Sequence, residues 1–267
     1  MAQLSQHYQR VRSRLHTLRH WWLHPHAPFR AVFILATQRS GSNLVRDYIK
    51  RLPGVASHGE VLCTEFPYGP SRKLPTAAAL RHLRYALQTL DTPVRACKLM
   101  LDHLCDHQLT VDDLRDAFSD SRFIVLYRRS LAEQFLSREA AIATNQWFCQ
   151  VGHEPIQRRL EVDAAALRTF CETTRRTYRE LLARPWLAEQ ALILSYEEFA
   201  ADPVGCLRAR ICPLLGVPAA APQTKLRKQN TLPLKDRITN YHEVAALTSS
   251  PLCRQDYGTH ASRRAAG

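Results

Sequence analysis

The sequence predicts an α/β fold, a single domain whose central, mainly parallel sheet is flanked by helices. Three observations lead there. Short apolar runs rich in β-branched and aromatic residues recur at 31–36, 94–101, 121–127 and 191–195, the pattern of strands buried on both faces. Segments with helical apolar spacing separate them, and that alternation builds parallel sheets. No repeat and no long linker divides the 267 residues, a length that suits one large domain.

Taken in order, the run AVFILA at 31–36 is the first strand. A polar turn from Thr37 to Ser42 follows, and Leu44, Val45, Tyr48, Ile49 and Leu52 then recur at helical spacing until Pro53-Gly54 stops the helix. Residues 53–69 read as an irregular loop holding His58, Glu60 and Glu65. Loops after the first strand–helix unit are usual homes for substrate groups. A helix is expected over 75–90, with Thr76 near its start and leucines at 80, 83, 87 and 90. The strand at 94–101 contains Lys98, which is costly to bury unless its ammonium reaches a cleft or an anion. A helix over 110–118, the strand at 121–127, the basic turn Arg128-Arg129-Ser130 and a helix over 131–144 come next. Residues 146–159 read as an irregular excursion carrying Trp147 and Phe148. The longest helix covers 162–183, the last strand 191–195, and Asp202-Pro203 opens a helix to about residue 215. Beyond Gly216 the chain is loop-rich, with basic Lys225, Arg227 and Lys228. The expected organisation is a basic helical extension over 1–29, the domain over 30–250 and a flexible tail over 251–267.

Composition is that of a globular protein, 45% hydrophobic and 23% charged. The net charge of +13 points to anionic partners. Eight cysteines and twelve histidines show no C-x-x-C and no paired ligand spacing, so no metal site is expected and the thiols read as buried and free. That suits a reducing compartment, the cytoplasm. No run approaches ~18 apolar residues, so no membrane-spanning helix is indicated. The basic start, with Trp21 and Trp22, has the make-up of a stretch that contacts a membrane surface peripherally or packs on the domain. No RNA- or DNA-binding motif is present, and nucleic acid is not an expected partner.

Strand, small-residue turn and helix together form a phosphate cradle. The helix N-terminus offers unpaired N–H groups and positive dipole charge, and Gly41 lets the backbone approach an anion. Arg39 adds a guanidinium, while Ser40, Ser42 and Asn43 add hydrogen-bonding side chains. The G-x-x-x-x-G-K-[ST] pattern is absent, since a single glycine stands here and no lysine follows it. The turn T-x-R-S-G-S-N-L resembles instead the 5′-phosphosulfate loop of sulfotransferases that use 3′-phosphoadenosine-5′-phosphosulfate (PAPS). Three further segments support the resemblance: FIVLYRRSLAEQFLS, ILSYEEFAADP and the late KLRKQNTLPLKDRITNYHEV. With HGEVL after the first helix, they are similar to bacterial carbohydrate sulfotransferases of the Nod-factor and trehalose kind.

The resemblance implies a P-loop-like domain that moves a sulfuryl group from PAPS to a hydroxyl of a carbohydrate or glycolipid, without a metal. By that resemblance Arg39, Ser40, Gly41, Ser42 and Asn43 hold the 5′-phosphosulfate. Arg129 and Ser137, eight residues apart, hold the 3′-phosphate. Tyr196 lies toward the adenine, and Arg227, Lys228 and Gln229 form a nucleotide lid. Glu60 is the expected general base, His58 its reserve, and Lys98 a second cation for charge stabilisation. A nucleotide-dependent kinase of similar fold is an alternative, but it requires the lysine that is missing and a carboxylate for magnesium. A noncatalytic basic nucleic-acid- or membrane-binding protein is another, though it leaves the loop and the Arg129/Ser137 spacing without a role. Nothing in the sequence sets the acceptor or the oligomeric state.

Overall fold

Every residue from Ala31 to Ala36 is buried, so β1 (Arg30–Ala36) can only be a central strand. The computed structural model describes residues 28–66, 68–229 and 231–258. Nearly all of the expected N-terminal extension, and the tail past 258, lie outside the described residues.

From β1 the chain runs through α1 (Ser42–Ile49), β2 (Val55–Glu60), α2 (Thr76–Gln88), β3 (Val94–Met100), α3 (Leu101–Asp106) and α4 (Val111–Ala117). It continues with β4 (Arg122–Tyr127), α5 (Leu131–Thr144), β5 (Cys149–Gln150), α6 (Ala164–Leu182), α7 (Leu187–Gln190), β6 (Ala191–Ser195) and α8 (Tyr196–Ala201). A helical stretch over 203–215 follows, then β7 (Leu226–Arg227), α9 (Leu234–Arg237) and α10 (Tyr241–Ser249). The main sheet has five parallel strands in the order β2-β3-β1-β4-β6. The expected α/β domain with a parallel sheet is what forms. β5 and β7 make a separate antiparallel pair.

Alternation along the strands builds two cores. Phe33, Leu35, Leu99 and Val125 face α2, α4 and α6 through Leu83, Leu87, Leu114 and Tyr178. Val32, Ile34, Ile124 and Leu194 face α1 and the 203–215 stretch through Val45, Ile49, Leu207 and Ile211. Each fully buried side chain of this size contributes about 1.5–3 kcal/mol relative to exposure. Helices on both faces leave only the C-terminal ends of the strands open, where such sheets bind ligands.

Two expectations need correction. Residues 55–60, read as irregular, form the edge strand β2. VASHGE lacks an apolar run because only Val55 and His58 are buried in it. Residues 251–258, expected to begin a flexible tail, instead pack on the domain: Cys253 and Gln255 are buried. The Gln255 amide donates to Arg129 O at 3.0 Å, and its Nε2 to Arg128 O at 2.9 Å. No helix among the described residues is long and apolar enough to cross a membrane.

Tyr178 joins α6 to the ligand edge. Its hydroxyl donates to Leu126 O of β4 at 2.6 Å and accepts from the Thr37 amide at 3.1 Å, just past β1. Tyr178→Phe removes both bonds while keeping the ring. It should destabilise the protein by about 1–3 kcal/mol, read as a lower urea midpoint at unchanged slope. An unchanged midpoint would mean the hydroxyl contributes nothing there.

Candidate active site

The turn after β1 is shaped by backbone geometry. Arg39 has φ 62° and Gly41 φ 91°, the left-handed region that glycine enters without cost. A Cβ on Gly41 would also stand 2.2 Å from Cδ2 of Tyr196, the first residue of α8. The ring of Tyr196 thus packs directly on the turn. α1 starts at Ser42 with no side chain capping it, so its first-turn amides and positive dipole end face the turn. From α5, Gln134 Nε2 donates to Thr37 Oγ1 at 2.8 Å and Gln38 O at 2.6 Å, which fixes the turn from outside. Ser40 is fully buried, next to the Tyr178 hydroxyl.

Arg39 points into this edge. Its Nε donates to Ser137 Oγ at 3.0 Å, one terminal nitrogen to Gln229 Oε1 at 2.6 Å and the other to Trp147 O. All three acceptors are neutral, and no carboxylate among the described residues pairs with it. Burial and the nearby Arg128, opposed by Tyr196, pull its pKa down to about 10. The half-buried guanidinium is thus served by neutral oxygens alone among the described residues.

Beside it runs a chain of three residues. Lys98 Nζ donates to Asn43 Oδ1 at 2.6 Å and pairs with Glu60 Oε1 at 2.8 Å. The ammonium is 4% exposed. Burial lowers the Lys98 pKa against the pull of Glu60, with Arg46 and Arg39 adding repulsion. The parallel register sets Glu60 of β2 opposite Lys98 of β3, after an irregularity in β2. Arg46 of α1 supports that irregularity, donating to His58 O at 2.8 Å and Ser57 O at 3.0 Å.

The fold therefore gathers Arg39, Ser40, Gly41, Ser42, Asn43, Lys98, Glu60, Ser137 and Tyr196 around one edge of the sheet. Other expected residues stand elsewhere. His58 hydrogen-bonds Thr89 Oγ1 at 2.7 Å and packs on Tyr68. Burial, and less so Arg46, pulls its pKa down to about 4 against a backbone contact from Ala86. Arg129 does not meet Ser137: its side chain is 44% exposed, and Nε lies 3.6 Å from Asp256 Oδ2. Ser137 is bound to Arg39 instead. Arg227 pairs with Glu154 at the surface, and Lys228 is exposed. Of the expected lid residues, Gln229 alone touches Arg39.

Some participants gave no signal in the sequence. Arg128 lies 4.8 Å over the Tyr196 ring and donates to Arg39 O at 3.5 Å. Glu197 accepts from the amides of Arg129 at 2.9 Å and Ser130 at 3.4 Å. The excursion at 146–159 reaches the site because Gln229 Nε2 donates to Gln146 O at 2.9 Å. Folding also brings Glu60, Cys63 and His103 together, with one ligand atom of each within 4.8 Å of the others. Spacing along the chain gives no hint of this grouping.

The family model described as "Sulfotransferase family" matches residues 31–221, a span holding both the phosphate-like turn and Tyr196. The chain belongs to the sulfotransferase family. Nodulation protein H of Rhizobium meliloti (strain 1021) is 27% identical over 241 residues, covering 83% of this chain and 92% of that protein. Among solved structures, a sulfotransferase from Alicyclobacillus acidocaldarius is 15% identical, with a TM-score of 0.47 over 84% of this chain and 92% of that one. The sulfotransferase STF1 of Mycobacterium tuberculosis H37Rv is 14% identical, with a TM-score of 0.48 over 79% and 75%.

Asp47 of α1 anchors the segment that carries Gln229. Burial works against its charge, but bonds from Lys50, Thr224, the Lys225 amide and Arg51 outweigh it and hold the carboxyl well below the usual carboxylate range. Thr224 Oγ1 donates to it at 2.8 Å and the Lys225 amide at 3.1 Å. A depressed folded pKa means this stabilisation is present above the unfolded value of about 3.9 and fades as pH falls toward the folded one. Asp47→Asn should cost about 1.5–3 kcal/mol at pH 7 and expose residues 224–229 to proteolysis. The gap from the parent protein should shrink below about pH 4. An equal gap at pH 7 and pH 3 would contradict the assignment.

Proposed function

We propose that the protein transfers the sulfuryl group of PAPS to a hydroxyl of a carbohydrate or glycolipid acceptor. The observation that carries this reading is the Glu60–Lys98–Asn43 chain beside a turn whose guanidinium, Arg39, has only neutral partners. The buried Ser40 side chain and the Gly41 backbone fit an anionic donor group. Arg39, Ser40, Gly41, Ser42 and Asn43 hold the 5′-phosphosulfate. Arg129 and Ser137 take the 3′-phosphate, which requires Asp256 to release Arg129 and Arg39 to release Ser137. Tyr196 borders the adenine, and Arg227 and Lys228 sit on the lid segment that Gln229 ties to Arg39. The carbohydrate acceptor is supported by the sequence resemblance and by Trp147 and Phe148, 39% and 54% exposed, which offer faces for a sugar ring. Eight thiols without a disulfide suit a cytoplasmic protein.

The acceptor oxygen attacks sulfur while the bond from sulfur to the 5′-phosphate oxygen breaks. The bonding pair leaves on 3′,5′-adenosine bisphosphate, and the acceptor proton passes to Glu60. Arg39, Lys98 and the first-turn amides of α1 neutralise charge growing on the departing phosphate. Lys98 touches both Glu60 and Asn43, so one ammonium sets the base relative to the donor loop. His58, held by Thr89, plays no part.

Glu60→Gln should lower kcat by about 10²–10⁴-fold with adenosine bisphosphate affinity nearly unchanged, whereas His58→Ala should keep turnover. The reverse pattern would make His58 the base. Turnover should also survive EDTA, and rescue by magnesium after its loss would point to a kinase. Arg129→Ala should weaken adenosine bisphosphate by about 1.5–3 kcal/mol and adenosine 5′-phosphosulfate far less. Equal losses for the two ligands would remove Arg129 from the 3′-phosphate.

A further inference from the structure

Cys63 and His103 have no role in that transfer, yet both stand beside its base. Glu60 ends β2, Cys63 lies in the turn that follows, and His103 sits in α3. The turn is closed by the Cys63 amide donating to Glu60 O at 3.2 Å. A carboxylate oxygen, the Cys63 sulfur and an imidazole nitrogen lie within 4.8 Å of one another, each on a half-buried residue. His103 Nδ1 is buried without a hydrogen-bond partner. Lys98 engages Glu60 through Oε1, and a carboxylate has a second oxygen to offer.

Thiolate, imidazole and carboxylate together form a borderline-soft donor set. Magnesium and calcium prefer oxygen ligands alone, whereas zinc takes S, N and O donors at about 2.0–2.3 Å. Tetrahedral ligation at that radius separates donors by about 3.5 Å, within reach of small side-chain rotations from the observed spacing. Three protein ligands leave a fourth position open.

We propose that Glu60, Cys63 and His103 form a binding site for zinc or a like divalent cation, and that an ion held there withdraws the Glu60 carboxylate from the acceptor hydroxyl. Binding releases the Cys63 thiol proton to solvent. The site itself stands on geometry, while the blocking rests on the proposed role of Glu60. The cation is an inhibitor here and has no place in the transfer.

Cobalt(II) added to the metal-free full chain is the probe. One equivalent should produce a near-ultraviolet thiolate-to-cobalt charge-transfer band, and zinc should displace it. Cys63→Ser should abolish the band. His103→Gln should weaken cobalt by more than the ~10–100-fold that loss of an outer-sphere partner costs. Histidine-only binding elsewhere gives no such band. Cys171 and Cys253, whose sulfurs lie 3.2 Å apart, are the other close thiols, and Cys171→Ser should leave the band intact. Absence of a band in the parent protein, its survival in Cys63→Ser, or its loss in Cys171→Ser would overturn the site. Zinc should inhibit sulfuryl transfer by the parent protein, reversibly by EDTA, and should spare Cys63→Ser. A cobalt band without zinc inhibition would overturn the blocking alone. A protein with the band but without sulfuryl transfer would refute the functional reading and leave the metal site standing.

Discussion

Arg39 carries a positive charge that no carboxylate among the described residues neutralises, and much of the structure is arranged around it. A carboxylate partner would stabilise a half-buried guanidinium best, yet the fold supplies a hydroxyl, an amide oxygen and a backbone carbonyl. Those acceptors come from α5, the 146–159 excursion and the late loop, so one side chain joins three remote segments. The backbone is left-handed at Arg39, and the tyrosine ring packs against the glycine two residues on, just before the uncapped start of α1. The cost of that charge is what the proposed anionic donor would offset.

The second organising element is Lys98. An ammonium on a strand buried along its whole length is tolerable only because Glu60 and Asn43 meet it from two other elements. The same contacts give the sheet a polar seam at its ligand edge. The seam links the edge strand β2, which has little apolar grip of its own, to β3 and α1. Structural need and proposed chemistry therefore place the same three side chains together.

Most of this was legible in the sequence. Strands β1, β3, β4 and β6 announced themselves because both of their faces are buried. β2 did not, because an edge strand whose pattern is VASHGE has no continuous apolar stretch. The phosphate-like turn was legible from its residue types, and Lys98 from the cost of burying it. The resemblance implies a shared role for Arg129 and Ser137, but a matching spacing leaves open where a side chain at a strand end will turn. Arg129 turns toward Asp256, and Arg39 takes the serine. Asp256 lies 127 residues away along the chain, as Glu197 lies 68 from the Arg129 amide it accepts. Cys63 and His103 were invisible for the same reason.

The contacts that close over the turn carry a consequence for how the protein comes into being on the ribosome. The five strands of the sheet are complete once residue 195 has been made. Gln229 lies 190 residues beyond the arginine it holds, and Gln255 lies 127 beyond Arg128, whose carbonyl it binds. Domains gain structure as they are synthesised, N-terminal parts first. The scaffold can thus assemble while the chain is still growing, with Ser137 and Trp147 already in reach of Arg39, whereas the Gln229 and Gln255 contacts form only with residues that arrive later. A nascent chain can thus reach a stage in which its sheet is built while Arg39 and the Arg128 carbonyl still lack these two late contacts.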